Sequence, residues 1–557
     1  MELAKKQLMK LLDINESKIT IPPDASMGDY SSTIAFDKAK ESNENPNLTA
    51  IKLISDIMPK LARTVFSTVK TYGPYINFYL DREKVISTVL SEVLKEDNNY
   101  SAKKKTKKKL LIESPSPNTN KPLHLGHLKN VCIGLSMSRI FENRGYDVKR
   151  LNLYNDRGIH ICKSMLAYNK WGRNKKPNKK TDHFVGDYYV LFDKKNENDK
   201  LMPEARLMLK KWEEGDKEVR KLWKKMNDWA YKGYEQTFRT IGLPKFDKVY
   251  YESSIYKKGK EIVMKGVEKG VFKKEGNSIF AELGKLGRMY LIREDGTALY
   301  GNQDLALAEA KSKDFTFEKS IVITGNEQNH YFKQLFAIFK LLNYGFADKC
   351  EHLGYGMVLL PSGKMKSREG TVVDADDLIE EMSTLAKNEM KKRKNKADMK
   401  TTLKIGLSAI KYDLLRVKTS KDVTFNPEES ISFEGNTGPY LLYSLVRAKK
   451  ILKKNKKKLV NRVKPKDYKQ EEEFKLIKTF AELKTSIKSS MKELSPHHLC
   501  NYAHELASQF NKFYDACPVM QAEDTKTITA RLLLVKAFII VMKKCLYLLG
   551  IEAVDKM

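Results

Sequence analysis

Residues 109–154, KLLIESPSPNTNKPLHLGHLKNVCIGLSMSRIFENRGYDVKRLNLY, place a helical pattern between two strand-like runs. KLLIES predicts a short buried strand, and DVKRLNLY predicts a second one because its apolar residues alternate. Between them, apolar residues recur at helical spacing from Leu125 to Asn143, and Gly145 ends the pattern. Strand, helix and strand form a βαβ unit, which predicts an α/β fold with a doubly wound, Rossmann-like parallel sheet.

The loop between the first strand and the helix carries His124 and His127, with Gly126 between them. Open α/β sheets bind ligands at such loops, and the free N–H groups of the helix's first turn attract anions. Both imidazoles lie on one side of the helix start and can donate to a phosphate, while Gly126 leaves room for a flat base. The pattern predicts a nucleotide site, although HxGH alone also occurs by chance among surface and core histidines.

A second loop favours the nucleotide site. Residues 360–373, LPSGKMKSREGTVV, are rich in cations. A triphosphate that loses pyrophosphate needs positive charge on both flanks. We therefore expect this loop to supply the second flank.

Composition divides the chain into domains, because 557 residues are too many for one hydrophobic core. A lysine-rich run follows a first α+β unit, residues 1–100. A sheet domain, 108–395, carries a charged and aromatic helical insertion at about 172–285. Strand patterns return in GRMYLIRED, SIVIT and YGMVLL, where we expect the sheet to resume. Helical periodicity then predicts an all-α domain over 396–557.

The net charge of +33 favours polyanions such as nucleic acid, although a lysine-rich compositional bias explains it equally well. The six cysteines form no CxxC pair and the nine histidines show no ligand spacing, so we predict no structural zinc and no protein metal ligands. The start of the chain lacks a signal-peptide core. RLLLVKAFIIVMKKCLYLLG is interrupted by lysines and predicts a buried helix rather than a membrane span. We expect a cytoplasmic protein.

HLGH at 124–127 and KMKSR at 364–368 together resemble the HIGH and KMSKS signatures of class I aminoacyl-tRNA synthetases. Within that class, the sequence is similar to arginyl-tRNA synthetases along nearly its whole length. The stretches that carry this likeness are MGDYSSTIAF, GPYINFYL, ESPSPNTNKPLHLGHLKN, NDRGIHICKSMLA, GTALYGNQDLALA, SFEGNTGPYLLYSLVRAKKIL, YDACPV and LLGIEAVDKM.

The resemblance implies a ligase that activates arginine with ATP and Mg²⁺ to arginyl-adenylate and transfers the arginyl group to the 3′ end of tRNA(Arg), as a monomer. The catalytic residues it implies are His124, Gly126, His127, Lys121, Lys364, Lys366 and Ser367. The implied ATP contacts are His124, Gly126, His127, Lys364 and Met365. The implied arginine contacts are Glu113, Ser116, Asn118, Tyr300, Asp304 and Gln328. The implied tRNA contacts are Asn77 in an elbow- and D-loop-binding unit, and Tyr443 and Arg447 in an anticodon-binding domain.

The implied arginine contacts also have a physical basis. The guanidinium of arginine is planar and positively charged and has five hydrogen-bond donors, so carboxylates are its preferred partners. Glu113 ends the first strand, and Asp304 follows Tyr300 by four positions, so we expect both acids near the carboxyl edge of the sheet. Without the motif context, Asp304 would be interpreted as a solvent-facing helix residue and Tyr300 as a packing aromatic.

The second signature departs from the family pattern, which has lysines at its first and fourth positions. Lys364 keeps the first position, but Ser367 stands at the fourth. Lys366 or Arg368 can supply the missing charge from a neighbouring position. Our hypothesis is that Lys121, three residues before His124, compensates.

The predicted RNA contacts have ordinary alternatives. GPYINFYL is also typical of a strand with inward aromatics, which we expect for Phe78, whereas we expect Asn77 to contact a base. Tyr443 and Arg447 lie four apart on one helix face and can stack on bases, although such surface pairs are common without a function.

Three other functions compete with this prediction. Glutamyl and class I lysyl synthetases share the nucleotide site, but EGNTGPYLLY and the first unit argue against them. A small-molecule nucleotidylyltransferase has no need of a large helical domain. A non-catalytic RNA-binding relative is disfavoured because both histidines, Gly126 and Lys364 are intact.

Overall fold

The structure is a computed structural model that describes residues 2–361, 373–396, 398–455, 459–522 and 524–557. Its strands are β1 (Ile19–Thr20), β2 (Tyr30–Ser32), β3 (Phe66–Tyr72), β4 (Tyr75–Leu80), β5 (Lys109–Glu113), β6 (Asp147–Tyr154), β7 (Lys248–Tyr251), β8 (Lys273–Glu275), β9 (Ser278–Glu282), β10 (Arg288–Ile292), β11 (Lys319–Gly325), β12 (Cys350–Tyr355), β13 (Val358–Leu359) and β14 (Val423–Thr424). Its helices are α1 (Glu2–Leu12), α2 (Ile34–Ser42), α3 (Pro46–Ile57), α4 (Arg82–Glu96), α5 (Leu125–Asn143), α6 (Ile159–Trp171), α7 (Thr181–Lys195), α8 (Met202–Glu214), α9 (Lys217–Ile241), α10 (Glu252–Glu268), α11 (Tyr300–Asp314), α12 (Asn329–Leu341), α13 (Ala375–Lys392), α14 (Met399–Leu415), α15 (Pro427–Ser430), α16 (Gly438–Lys454), α17 (Glu471–Lys492), α18 (His497–Ala516) and α19 (Thr525–Leu548).

The first unit is an antiparallel sheet of order β1-β2-β4-β3 with helices α1 to α4. Gly73, at φ 58°, makes the tight turn between β3 and β4, a conformation that glycine adopts without strain. Ile76 and Phe78 on β4 are fully buried. The prediction that Phe78 packs inward is therefore confirmed.

The central sheet is parallel, in the order β12-β11-β5-β6-β7. The predicted βαβ unit is present as β5, α5 and β6, and α5 spans the predicted residues. From β5 the chain adds β6 and β7 on one side, then returns to add β11 and β12 on the other. The strand order thus reverses between β5 and β11, which creates a crevice at their carboxyl ends where open α/β sheets bind ligands.

Three details of the predicted sheet were wrong. The insertion is helical only through α9, because β7 joins the parallel sheet and β8 and β9 lie in a separate antiparallel sheet with β10. GRMYLIRED forms β10 there, and its alternating burial suits a sheet with one face exposed. In YGMVLL, β12 ends at Tyr355 and Val358–Leu359 pairs with the two-residue β14. Such short strands leave too little periodicity to be assigned from sequence.

Helices α13 to α19 dominate the last part of the chain, and their core is continuous with those of the sheet and the first unit. Phe510 of α18 stacks on Phe538 of α19 with ring centroids 3.8 Å apart. The apolar run predicted to be a buried helix is α19, whose inner face is buried as expected. Five of the six cysteines are buried and Cys350 is half-buried, and none is in a disulfide. Within the described residues, no helix has the length and apolar character to cross a bilayer.

Candidate active site

A cavity of about 1650 Å³ opens at the carboxyl ends of β5, β6 and β11. All six residues predicted to contact arginine line it, as do Lys121, His124 and His127. They come from the end of β5, from the loop after it and the start of α5, from the start of α11 and from the segment after β11. Side chains that are up to about two hundred positions apart in the chain therefore face one space.

The histidine turn, residues 124–127, forms the first turn of α5. The Gly126 N–H donates to His124 Nδ1 at 3.1 Å, and the His124 N–H donates to His127 Nδ1, also at 3.1 Å. The two rings lie 3.8 Å apart between centroids. A Cβ on Gly126 would lie 3.0 Å from the His124 ring. The His124 ring thus packs against Gly126, and contact of a base with Gly126 stays a prediction.

Both imidazoles are held in the neutral form. Burial, and then the Lys121 charge, lower the pKa of His124 to about 4. Burial and the charges of His124 and Lys121 lower the pKa of His127 well below its usual value. Because each Nδ1 accepts a backbone N–H, the ring proton resides on Nε2. The turn thus offers two Nε2–H donors that stay uncharged at neutral pH.

The loop ahead of the histidine turn is fixed by hydrogen bonds to β5 and β6. Ser116, at φ 54°, accepts the Leu153 N–H at 3.2 Å and donates to Glu113 Oε1 at 3.0 Å. Its own N–H donates to Asn152 Oδ1 at 3.0 Å. Asn118 pairs with Asn155 in a parallel bridge. These contacts set the backbone from which Asn118 faces the cavity.

Asp304 and Glu113 are the two acids predicted to contact arginine, and both line the cavity. The Tyr331 hydroxyl donates to Asp304. Burial, with the neighbouring Glu113 charge, raises the pKa of Asp304 to about 6 despite that hydrogen bond and the Lys311 charge. Glu113 is paired with the buried Lys311 ammonium. Asp304 is therefore the carboxylate of this pair that is left without a cation.

Sequence analysis missed Lys311, although the pattern contained a signal for it. Lys311 lies seven residues after Asp304 on α11, and positions two helical turns apart share a face. The Lys311 ammonium neutralises the Glu113 carboxylate, so Glu113 does not offer a guanidinium an unpaired negative charge. Glu113, Asp304 and Lys311 together carry one net negative charge, which suits one guanidinium.

Glu252 is a further residue of the cavity wall that sequence analysis missed. Burial raises its pKa to about 8, with Arg157 opposing this and Asp156 and Asp304 adding to it. Gln303 donates to it at 2.6 Å, and the Arg157 guanidinium lies 3.6 Å away. No motif singled out Glu252, because it is brought to the cavity by the packing of α10 on α11.

The predicted RNA contacts lie outside this cavity. Asn77 is 3% exposed and accepts a hydrogen bond from Ser31 at 2.5 Å, so its contact with RNA stays a prediction. Arg447 donates to the Tyr443 hydroxyl at 3.2 Å and lies over the Tyr443 and Tyr514 rings. Tyr300 and Gln328 line the cavity with exposed side chains. The KMKSR residues Lys364, Met365, Lys366, Ser367 and Arg368 fall outside the described residues.

Comparisons with known proteins cover the whole chain. The family model for class I (R) tRNA synthetase catalytic domains matches residues 89–427, that for the DALR anticodon binding domain matches 441–557, and that for the arginyl-tRNA synthetase N-terminal domain matches 2–80. The arginine–tRNA ligase of Treponema denticola is 42% identical over 97% of this chain and 94% of its own length. That of Borrelia hermsii is 38% identical over 100% of this chain and 97% of its own.

Solved structures show the same fold. Thermus thermophilus arginyl-tRNA synthetase superposes with a TM-score of 0.83 at 24% identity and covers 100% of this chain and 99% of its own. The Plasmodium falciparum arginyl-tRNA synthetase gives 0.80 at 20% identity, with 100% and 98% covered. With the family models and the sequence relatives, these findings show that the chain belongs to the arginyl-tRNA synthetase family of class I.

Proposed function

We propose that the protein activates arginine with ATP to arginyl-adenylate and transfers the arginyl group to the 3′ end of tRNA(Arg). The observation that supports this most is one cavity with neutral imidazole donors at one end and an unpaired carboxylate, Asp304, in its wall. The imidazole donors suit the phosphates of ATP, and the carboxylate suits the guanidinium of arginine. Neither glutamate nor lysine presents a planar fork for such a wall.

In the first step, the arginine carboxylate attacks the α-phosphorus of ATP and pyrophosphate leaves. No protein nucleophile is needed, so the protein contributes positioning and charge stabilisation. We assign the two Nε2–H groups of His124 and His127 to the phosphate oxygens on which charge develops. Asp304 holds the guanidinium, and Asn118 holds the α-substituents of arginine. ATP enters as its magnesium complex, because Mg²⁺ prefers phosphate and water oxygens.

Lys121 is the proposed replacement for the missing fourth-position lysine. It lines the cavity, and its charge acts on both histidines of the turn. Lys121→Ala should lower the rate of pyrophosphate exchange by roughly 10²- to 10³-fold, as loss of other transition-state donors does. Lys108→Ala, at an exposed site before β5, is the matched control. An exchange rate for Lys121→Ala within a fewfold of wild type would remove Lys121 from the mechanism.

The pH dependence of arginine use should report Asp304. Below its pKa of about 6 the carboxyl is protonated and no longer attracts a guanidinium. The kcat/KM for arginine, which reports the free enzyme, should therefore fall about tenfold for each pH unit below that value. Bound guanidinium favours the carboxylate, so kcat at saturating arginine should fall less. Exchange assays from about pH 5 to about pH 8 measure both. A kcat/KM for arginine that stays level from about pH 8 down to about pH 5 would contradict this role.

The rest of the chain is proposed to hold tRNA. Residues 1–100 would bind its elbow through Asn77, 108–395 carry the chemistry, and 396–557 would bind the anticodon. The surface of Tyr443, Arg447 and Tyr514 supports the last assignment, since bases stack on such planes. We further propose that the protein is a cytoplasmic monomer, as its likeness to arginyl-tRNA synthetases implies.

Exchange of labelled pyrophosphate into ATP, with each amino acid in turn and with or without tRNA, tests the proposed function. We expect exchange with arginine alone among the amino acids. Exchange with glutamate or lysine would favour another class I synthetase, and binding of tRNA without any exchange would favour a non-catalytic relative.

A further inference from the structure

Helices α7 and α9 of the insertion contact the loop that leads into the histidine turn. The Tyr234 hydroxyl on α9 lies 2.7 Å from the Asn118 carbonyl oxygen and 2.6 Å from that of Lys121. Gly186 on α7 packs so closely that a Cβ there would lie 2.6 Å from Pro122 Cδ. Contacts this close leave the loop little freedom to move relative to the insertion.

Residues 373–376, here called the anchor segment, hold the histidine turn from the other side. The Leu125 N–H donates to the Val373 carbonyl and the Ala375 N–H donates to the Leu123 carbonyl, both at 2.9 Å. His124 and Asp374 thus face each other in an antiparallel bridge. The position of His124 therefore depends on where the anchor segment sits.

Lys180 ties the anchor segment to the insertion. Its ammonium lies 2.7 Å from Asp376 Oδ2, 2.8 Å from Asp182 Oδ2 and 2.7 Å from Thr237 Oγ1. Thr237, on α9, also donates to Asp376 Oδ1 at 3.0 Å. His183 adds a further contact, with Nε2 2.8 Å from Asp376 Oδ2.

The cluster depends on the lysine charge because both of its carboxylates are withdrawn from solvent. The Asp182 side chain is 0% exposed and that of Asp376 is 25% exposed. Without the ammonium these two groups would repel each other, and a buried charge stripped of its partner is strongly destabilising. Asp376 would move away from α7 and would carry the anchor segment with it.

We propose that Lys180 is a positioning residue for activation: it fixes the anchor segment and, through the backbone bridge, aims His124 at ATP. This rests on the proposed role of His124 as a phosphate donor. Under this proposal the insertion contributes to the activation step, since Lys180 and Thr237 both belong to the insertion. A displacement of about 1 Å at a reacting group can cost about 10²-fold in rate, so small shifts of the bridge suffice.

Lys180→Met keeps the length of the side chain and removes its charge. We expect kcat for arginine-dependent exchange, counted per active site from the adenylate burst, to fall at least about tenfold. The KM for arginine should stay within about twofold, because Asp304 and Glu113 are held by α11 and β5 instead. Lys179→Met, which loses an exposed pair with Asp187, is the matched control and should behave as wild type.

The double variant Lys180→Met/Asp182→Asn separates positioning from lost folding. It removes the Asp182 charge that Lys180→Met leaves without a partner, but it keeps the hydrogen bonds of Asp376 to His183 and Thr237. Most of the lost kcat should therefore return. If Lys180→Met does not fold, Thr237→Val, which loses both hydroxyl contacts, should show the same fall in kcat with unchanged arginine KM.

Wild-type kcat per active site in Lys180→Met, or an equal loss in the double variant, would overturn the inference while leaving the proposed function intact. A wild-type enzyme without arginine-dependent exchange would overturn both.

Discussion

We expect Asp304→Asn to lower kcat/KM for arginine by roughly 30- to 5000-fold, since removing one partner of a buried charge pair costs about 2–5 kcal/mol. Of the two acids predicted to contact arginine, Asp304 is the one left free, because Lys311 pairs with Glu113. The asparagine keeps the shape and the bond to Tyr331 but carries no charge. Pyrophosphate exchange at varied arginine concentration measures the effect.

Asp314→Asn is the matched control for this variant. Asp314 is also on α11, but it accepts from Tyr250 at 2.9 Å and pairs with Lys248 outside the cavity. It should leave the arginine KM unchanged. A kcat/KM for Asp304→Asn within about threefold of wild type would mean that the guanidinium binds elsewhere.

His124→Ala should lower kcat for exchange by about 10²- to 10³-fold, the usual cost of a lost donor to charge that develops in the transition state. Its effect on the arginine KM should be small, because the donor acts on phosphate. The imidazole is already neutral at pH values above about 4, so the ratio of wild-type to variant rates should not change across neutral pH.

A general base would behave differently, because its removal would flatten an ionisation seen in the wild-type rate. His498→Ala, which loses a half-buried ion pair with Glu493 outside the cavity, controls for the loss of an imidazole. A His124→Ala kcat equal to that of the control would show that His124 does not donate to ATP.

The central parallel sheet could be predicted because its βαβ unit, β5, α5 and β6, has a strong hydrophobic pattern in the sequence. The helix α5 has its predicted bounds, since the His124 cap starts it and Gly145, at φ 91°, follows its end. The antiparallel strands β8 to β10 could not be placed, because short strands take their partners from tertiary packing.

The candidate site, too, could be predicted only in part from the sequence. Family motifs indicated nine residues that line the cavity, but they missed Lys311 and Glu252 and did not indicate that Glu113 is paired with Lys311. The Lys180 cluster had no sequence signal, because its members Lys180, Thr237 and Asp376 are far apart in the chain. Only the packing of the insertion on the start of α13 brings them together.

A crystal structure with arginine and a non-hydrolysable ATP analogue tests the central claim most directly. We predict the guanidinium against Asp304, the α-phosphate within hydrogen-bonding distance of Nε2 of His124 or His127, and the arginine carboxylate facing that phosphorus. A guanidinium away from Asp304, or phosphates away from the histidine turn, would contradict the account.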